Sequence, residues 1–343
     1  MLGAGLYILN STVTVPADSA LCVTGRDTTS TAGVTRLLPP AAEGQLHFAL
    51  YGGFLQLGNL QLEGRATNPS AVSSGGGVVI KCSPNGTDDG QPATFAALTV
   101  TFKSIAPRAV ANDDDTAASL TFAVAPQDAA NGPVYGAGIL ASAGARITFA
   151  GATTIRDNTG VGGCGLTLEG ATAIFAGAAA VQFISNSAPG SDGFGMALRA
   201  VRNSSVVFRG PVLMADNWAR SGAGGAVSLD KSNLTFHNIA TLRNNSILMG
   251  PGMDWGGGGA IYAFASRVVH NAAAMYINNR AGRLEGSAGG AVALLGWITS
   301  YSCPRLSGTR SSFSATQLVT FLSNTANTGG ALFMTLSDAA FAA

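Results

Sequence analysis

The sequence predicts an all-β protein: a parallel β-helix in which short strands, three to a coil, stack turn upon turn. Three observations predict it. A phrase of the form Gly-x-(Gly/Ala)-apolar recurs at Gly136–Ile139, Gly163–Leu166, Gly193–Met196, Gly224–Val227, Gly258–Ile261, Gly289–Val292 and Gly329–Leu332. By subtraction, successive phrases lie 27, 30, 31, 34, 31 and 40 residues apart, a period that marks a stacked repeat architecture. A second phrase, apolar-x-x-Asn, alternates with the first and ends at Asn158, Asn186, Asn217, Asn245, Asn279 and Asn324. Between these marks apolar residues recur with period two, the pattern of half-buried strands.

Each repeat carries three such stretches. The first follows the glycines, as in Leu166-x-Leu168, Met196-x-Leu198, Val227-x-Leu229, Ile261-x-Ala263, Val292-x-Leu294 and Leu332-x-Met334. The second is Ile147-x-Phe149, Ala173-x-Phe175, Val206-x-Phe208, Leu234-x-Phe236, Val268-x-His270 and Ala339-x-Phe341. The third precedes the asparagine: Thr153-x-Ile155, Val181-x-Phe183, Val212-x-Met214, Ala240-x-Leu242, Ala274-x-Tyr276 and Val319-x-Phe321. Stacked coils place equivalent strands about 4.8 Å apart. Phe149, Phe175, Phe208, Phe236 and Phe341 are therefore expected in one column, with His270 inside it. Glycine suits the tight corner before the first strand because it reaches positive φ without steric cost. Asparagine tolerates the left-handed region, and its amide can bond to its equivalents above and below. A buried asparagine ladder is expected at that corner. A helical solenoid would show a 3.6-residue apolar period and few glycines, and the chain shows neither.

Residues 134–343 read as regular repeats and residues 1–133 as the same coil, less regular, in one β-helix spanning 1–343. Thr12–Val15, Leu21–Val23, Phe54–Leu57, Leu60–Gly64, Leu98–Phe102 and Leu120–Phe122 are expected strands of the first part, and Gly75-Gly76-Gly77-Val78 an eighth glycine phrase. The polar stretches 26–36, 83–93, 107–117 and 299–312 are expected as loops leaving the coil, where function most often resides. About eleven coils would give a rod on the order of 50 Å long. Both ends fall within the repeat pattern, as expected of a piece of a longer chain.

Composition narrows the function. Charged residues make up 11% of the 343 residues and the formal net charge is +1, which speaks against a nucleic-acid partner, since phosphate binding needs concentrated Lys and Arg. Hydrophobic residues reach 47%, with 46 glycines, and mean hydropathy is +0.29. The longest apolar runs, Ala171–Val181 and Ala288–Thr299, are too short and too glycine-rich for a spanning helix of about 20 apolar residues. Of the four cysteines, none forms a Cys-x-x-Cys pair that would hold zinc. Cys164, inside a glycine phrase, is expected as a small buried filler. Cys22 and Cys82 could bridge if stacking aligns them.

The paired phrases resemble the repeats of chlamydial polymorphic outer-membrane proteins. Gly224–Val227, Gly258–Ile261, Gly289–Val292 and Gly329–Leu332 match the Gly-Gly-Ala-(Ile/Leu/Val) phrase of that family in full. Phe183–Asn186 and Phe321–Asn324 match its Phe-x-x-Asn phrase, and Ile155, Met214, Leu242 and Tyr276 replace the Phe elsewhere. The resemblance covers roughly residues 134–343. It implies a right-handed β-helix of the pectin-lyase-like kind, exported, displayed at the cell surface, and adhesin-like toward a host or neighbouring-cell protein or glycan. No C-terminal β-barrel pattern of that family is visible here.

Parallel β-helices also host polysaccharide lyases and hydrolases. Asp88-Asp89 and Asp113-Asp114-Asp115 are the acidic clusters that such chemistry, or a calcium ion, would use; the alternative is a solvated loop. His270 is expected in the core rather than as a base, and His237 is expected to face outward. Gly256–Gly259 lacks the Gly-Lys-Ser/Thr of a phosphate loop. Asn10, Asn85, Asn203, Asn233 and Asn244 open Asn-x-Ser/Thr triplets, which a secreted chain would present for glycosylation. Trp218, Trp255 and Trp297 fall in or near corners and loops, where they could bind sugar or protein. No catalytic, cofactor or metal residue is assigned on this reading. It favours a non-enzymatic, monomeric surface protein without cofactor, with a polysaccharide-cleaving enzyme as the alternative.

Overall fold

The computed structural model describes residues 2–3, 5–16, 20–25, 35–38, 47–50, 54–58, 61–63, 78–80, 99–102, 119–123, 138–142, 145–149, 151–159, 163–189, 193–248, 257–282, 287–300 and 307–341. Among these residues the chain is all-β, and three ten-stranded sheets carry the architecture. Every pairing within these three sheets is parallel, and each strand pairs with its equivalent in the next repeat. The result is a parallel β-solenoid. Nine inter-strand spacings in each sheet give a stack about 43 Å tall. The expected strands of the first part are present at Val13–Val15, Ala20–Thr24, Phe54–Gly58, Gln61–Glu63, Thr99–Phe102 and Ser119–Ala123. The glycines of the phrase at Gly75–Gly77 lie outside the described residues, but Val78 pairs with Ile139, the apolar residue closing the next phrase.

The phenylalanine sheet holds Arg146–Phe149, Thr172–Phe175, Ser205–Phe208, Asn233–Phe236, Arg267–His270, Ser311–Ala315 and Ser337–Phe341. Its rings stack face to face. Centroids are 4.2 Å apart for Phe149–Phe175, 4.5 Å for Phe175–Phe208, 5.3 Å for Phe208–Phe236 and 4.6 Å for Phe236–His270. Such pairs add about 0.5–1.5 kcal/mol each beyond burial. Phe183 stands edge-on to Phe175 and Phe208. Alanines at 173, 200, 240, 263 and 274 fill the remaining interior, which keeps the stack narrow.

The asparagine ladder forms as expected. The Nδ2 group of each asparagine donates to the Oδ1 of the next, from Asn158 through Asn186, Asn217, Asn245 and Asn279 to Asn324, at 2.7 to 3.0 Å. From Asn186 onward each Oδ1 also accepts the backbone N–H of the asparagine one coil earlier, and Nδ2 donates a second bond to a strand carbonyl, as Asn245 does to Met214. The left-handed region that asparagine tolerates is not used at this position. The residue before it takes positive φ instead: Asp157, Ser185, Asp216, Asn244, Asn278 and Ser323. That turn aims the asparagine side chain inward, where its amide completes the buried backbone of the corner.

A serine ladder repeats this grammar at a second corner. Ser204, Ser232, Ser266 and Ser311 are buried. The N–H groups of Ala171, Ser204, Ser232 and Ser266 donate to the hydroxyls of Ser204, Ser232, Ser266 and Ser311 in turn. Asn203, Lys231 and Ala265, the residues just before, again take positive φ.

Three further expectations are corrected. The glycine phrase of the third regular repeat is Gly195–Leu198 rather than Gly193–Met196: Leu198 pairs with Leu166 and Val227, and Gly195 carries the positive φ that Gly163 and Gly224 carry in their repeats. The stretch 299–312 is not wholly a loop. Trp297–Ser300 and Ser307–Thr309 pair antiparallel as a separate two-stranded sheet, and residues 311–315 are a full strand of the phenylalanine sheet. The sequence pattern hides that strand because Ala315 stands where its equivalents carry a ring. Phe313, two residues earlier, tilts against His270 at 5.3 Å instead. Likewise, Thr35–Leu38 begins inside the stretch 26–36 that was expected as a loop. Cys164 is buried as expected, beside Ala188, Met196, Ala219 and Ile247 in a satellite cluster. Cys22 is exposed; Cys82 lies outside the described residues, as does the bridge expected between them.

Candidate binding cleft

The glycine-side sheet holds Leu166–Glu169, Leu198–Val201, Val227–Asp230, Ile261–Phe264 and Val292–Leu295. Strand alternation turns Leu198 and Ala200, Val227 and Leu229, and Ile261 and Ala263 into the core. It must then turn Arg199, Ser228 with Asp230, and Tyr262 with Phe264 outward. Register sets Arg199, Ser228 and Tyr262 in one row across three repeats, and Asp230 beside Phe264 in the next.

This outer face is not an ordinary wet surface. Ser228 is buried, and farther along the same face Ala293 and Leu295 are only 1% and 7% exposed. A cleft of about 270 Å³ opens among Phe194, Arg199, Asp230, Tyr262 and Phe264. Its polar groups are unequally satisfied. Arg199 reaches the carboxylate of Glu169 at 3.9 Å, and Arg202 reaches the other oxygen of Glu169 at 3.6 Å. Asp230 Oδ1 is buried with no hydrogen-bond partner. Burial, and secondarily the Asp230 charge, push the Tyr262 phenol up to about 12, so it stays a neutral donor near neutral pH. The cleft is therefore lined by the Arg199 cation, Asp230, the Tyr262 phenol and the rings of Phe194 and Phe264, a mixture of polar groups and aromatic walls.

This cleft is not legible in the sequence. The signal was available in one respect: Arg199, Asp230 and Tyr262 sit at outward positions of consecutive repeats, in a chain with few charges. What the sequence withholds is that the outer face is sheltered. A smaller set, Arg280, Gly282, Thr325 and Asn327, lines an open concavity near the short sheet of Ser187–Ala188, Trp218–Ala219, Ser246–Ile247, Arg280–Ala281 and Thr325–Ala326.

The acidic clusters expected at Asp88-Asp89 and Asp113-Asp114-Asp115 lie outside the described residues, as do Trp255 and the stretches 83–93 and 107–117. Among the described residues no group of three or more His, Cys, Asp and Glu side chains is gathered as a metal site, and no helix is long and apolar enough to cross a membrane. His270 is in the core, as expected. His237 is exposed, and its Nδ1 lies 3.1 Å from the Asn271 amide. Asn10, Asn203, Asn233 and Asn244, which open Asn-x-Ser/Thr triplets, are all exposed. Comparison with family models, with curated proteins and with solved structures found no match to this chain.

Proposed function

We propose that this chain is a non-enzymatic extracellular or cell-surface β-helix, right-handed and with three principal strands per coil, that acts as a stiff display scaffold of adhesin-like kind. The observation that supports it most is the continuity of the asparagine ladder through six repeats. A buried chain of amides that completes the backbone at each of these six coils resists bending and local opening there, because each rung lost leaves polar groups unsatisfied at about 1–3 kcal/mol apiece. A rod of this kind holds its outer face and its excursions in fixed positions. The exposed Asn-x-Ser/Thr triplets fit a secreted chain.

The antiparallel pair Trp297–Ser300 and Ser307–Thr309 is the described place where the chain leaves the solenoid ladders, and a two-stranded excursion of this sort offers edges to a partner. Removing residues 299–306 is expected to lower binding of the purified protein to cells while leaving its melting temperature within a few degrees. Unchanged cell binding in that deletion, and in deletions of 83–93 and 107–117, would reject the reading. So would product release from a panel of polysaccharides incubated with the intact protein.

A further inference from the structure

We propose that the outer face of the short sheet running from Ser187–Ala188 to Thr325–Ala326 binds an acidic oligosaccharide, with the guanidinium groups of Arg220 and Arg280 taking its carboxylates and Trp218 taking the face of a sugar ring. This deepens the adhesin-like reading, on which it rests, by naming the chemistry of a partner and adding a second contact to the one at the antiparallel excursion.

Register builds the face. Pairing sets Ser187, Trp218, Ser246, Arg280 and Thr325 in one row across five repeats. The residues that follow them, Ala188, Ala219, Ile247 and Ala281, are buried, so strand alternation turns the row outward. The ladder continues one residue further. The N–H groups of Arg220, Leu248 and Gly282 donate to the carbonyls of Ala188, Ala219 and Ile247, which places these three in a second outward row. Gly282 has no side chain to fill its place in that row. A concavity of about 480 Å³ opens there, lined by Arg280, Thr325 and Asn327.

Charge then selects the partner. An arginine is always charged and only donates hydrogen bonds. Arg156, Arg199, Arg202 and Arg310 each lie against a carboxylate. Arg280, half-buried, and Arg220, exposed, have neither an ion pair nor a side-chain hydrogen bond among the described residues. Neither outward row holds an Asp or Glu. Asp216, two residues before Trp218, is engaged with the Asn244 amide at 3.0 Å. The face thus carries two uncompensated cations, two pairings or about 10 Å apart, and each guanidinium fork can take a carboxylate through two parallel bonds. The rest of the row favours a sugar as the carrier of that carboxylate. Trp218 is half-buried and faces outward, and the apolar C–H face of a pyranose ring can bury against an indole. The hydroxyls of Ser246 and Thr325, on either side of Arg280, both donate and accept, as the hydroxyl rim of a sugar requires. An acidic peptide would answer the arginines alone.

The intact protein is titrated calorimetrically with two uronate probes, the trimer of galacturonic acid and a hyaluronan tetrasaccharide, and with two controls, the fully methyl-esterified galacturonate trimer and triglutamate. Saturable binding is expected with at least one uronate probe, and binding of both controls at least about tenfold weaker. Arg280→Gln and Arg220→Gln, which keep length and remove charge, are each expected to cost about tenfold for that probe, and Trp218→Leu about fivefold. Arg209→Gln, at an exposed position just past the strand Ser205–Phe208, is expected to change it by less than about twofold. Melting temperatures within a few degrees of the parent show that the variants fold. No saturable binding of either uronate, either control binding as tightly, or undiminished binding in Arg280→Gln would each overturn the proposal. Because the titration reads this sheet face alone, its failure leaves the cell-binding result to decide the scaffold reading separately.

Discussion

His270 occupies a place that its neighbours fill with phenylalanine, and the exchange is not silent. Its ring stacks on Phe236 with an interplanar angle of 3°, so the column is unbroken in shape. It is altered in chemistry: Nε2 is joined to the Tyr276 hydroxyl by a 2.8 Å hydrogen bond, and Nδ1 has no partner. Tyr276 itself stands in the row where Phe183 and Phe321 stand in other repeats, so the two substitutions answer one another. Burial pulls the imidazole down to about 3 and holds the Tyr276 phenol above its ordinary value. The sign follows directly. Between pH 6.5, the ordinary histidine value, and about 3, the unfolded chain binds a proton that the folded chain refuses. Stability from this group is full above pH 6.5 and falls as the pH drops through that window, by up to about 1.4 kcal/mol per pH unit. Replacing the pair together, His270→Phe with Tyr276→Phe, is expected to flatten that fall; urea midpoints measured across the window check it, and an unchanged slope would contradict it. The column position of His270 was legible in the sequence, because the spacing set it. Its bond to Tyr276 was not, because it joins two sheets whose relative rotation no linear pattern records.

At the scale of the element, the corners decide the coil. Gly224 turns with φ at 70°, and its neighbour in the phrase serves a different purpose. A Cβ on Gly259, the second glycine of the next repeat, would fall onto the Gly290 carbonyl and within 2.5 Å of the Arg280 backbone nitrogen. Backbone cannot yield as a side chain does, so Gly259→Ala is expected to cost about 3 kcal/mol or more. Gly170→Ala is the control. It has φ at 64° and nothing nearer than 3.5 Å to an added Cβ, so about 1–2 kcal/mol of backbone strain is expected. Equal costs in chemical denaturation would show that close approach between coils does not drive the glycine phrase. The phrase and the asparagine were both visible in the sequence because each uses a residue type with few substitutes. The serine ladder is not legible in the sequence because serine is common in turns and its hydroxyl leaves no periodic apolar mark. The third phrase is ambiguous in the sequence because Gly193-Phe194-Gly195-Met196 and Gly195-Met196-Ala197-Leu198 both satisfy the pattern; only the pairing of Leu198 decides between them.

For the whole molecule one geometric claim is central, that equivalent residues of successive repeats lie in register along a common axis. Stacking was readable from the repeat because period-two strands at a fixed interval have few other ways to bury one face. The sheltered cleft was not, since it depends on what covers the outer face. Pulsed electron–electron distance measurements test the claim most directly. With the four native cysteines replaced, nitroxide labels are placed at Arg146 and, in turn, at Arg267, Ser312 and Asp338. These positions follow one another down a single row of the phenylalanine sheet, four, five and six pairings away from Arg146. Distances rising evenly, near 19, 24 and 29 Å at about 4.8 Å per pairing, are the predicted result. Distances that stay level, or that do not climb in that order, would contradict the stack.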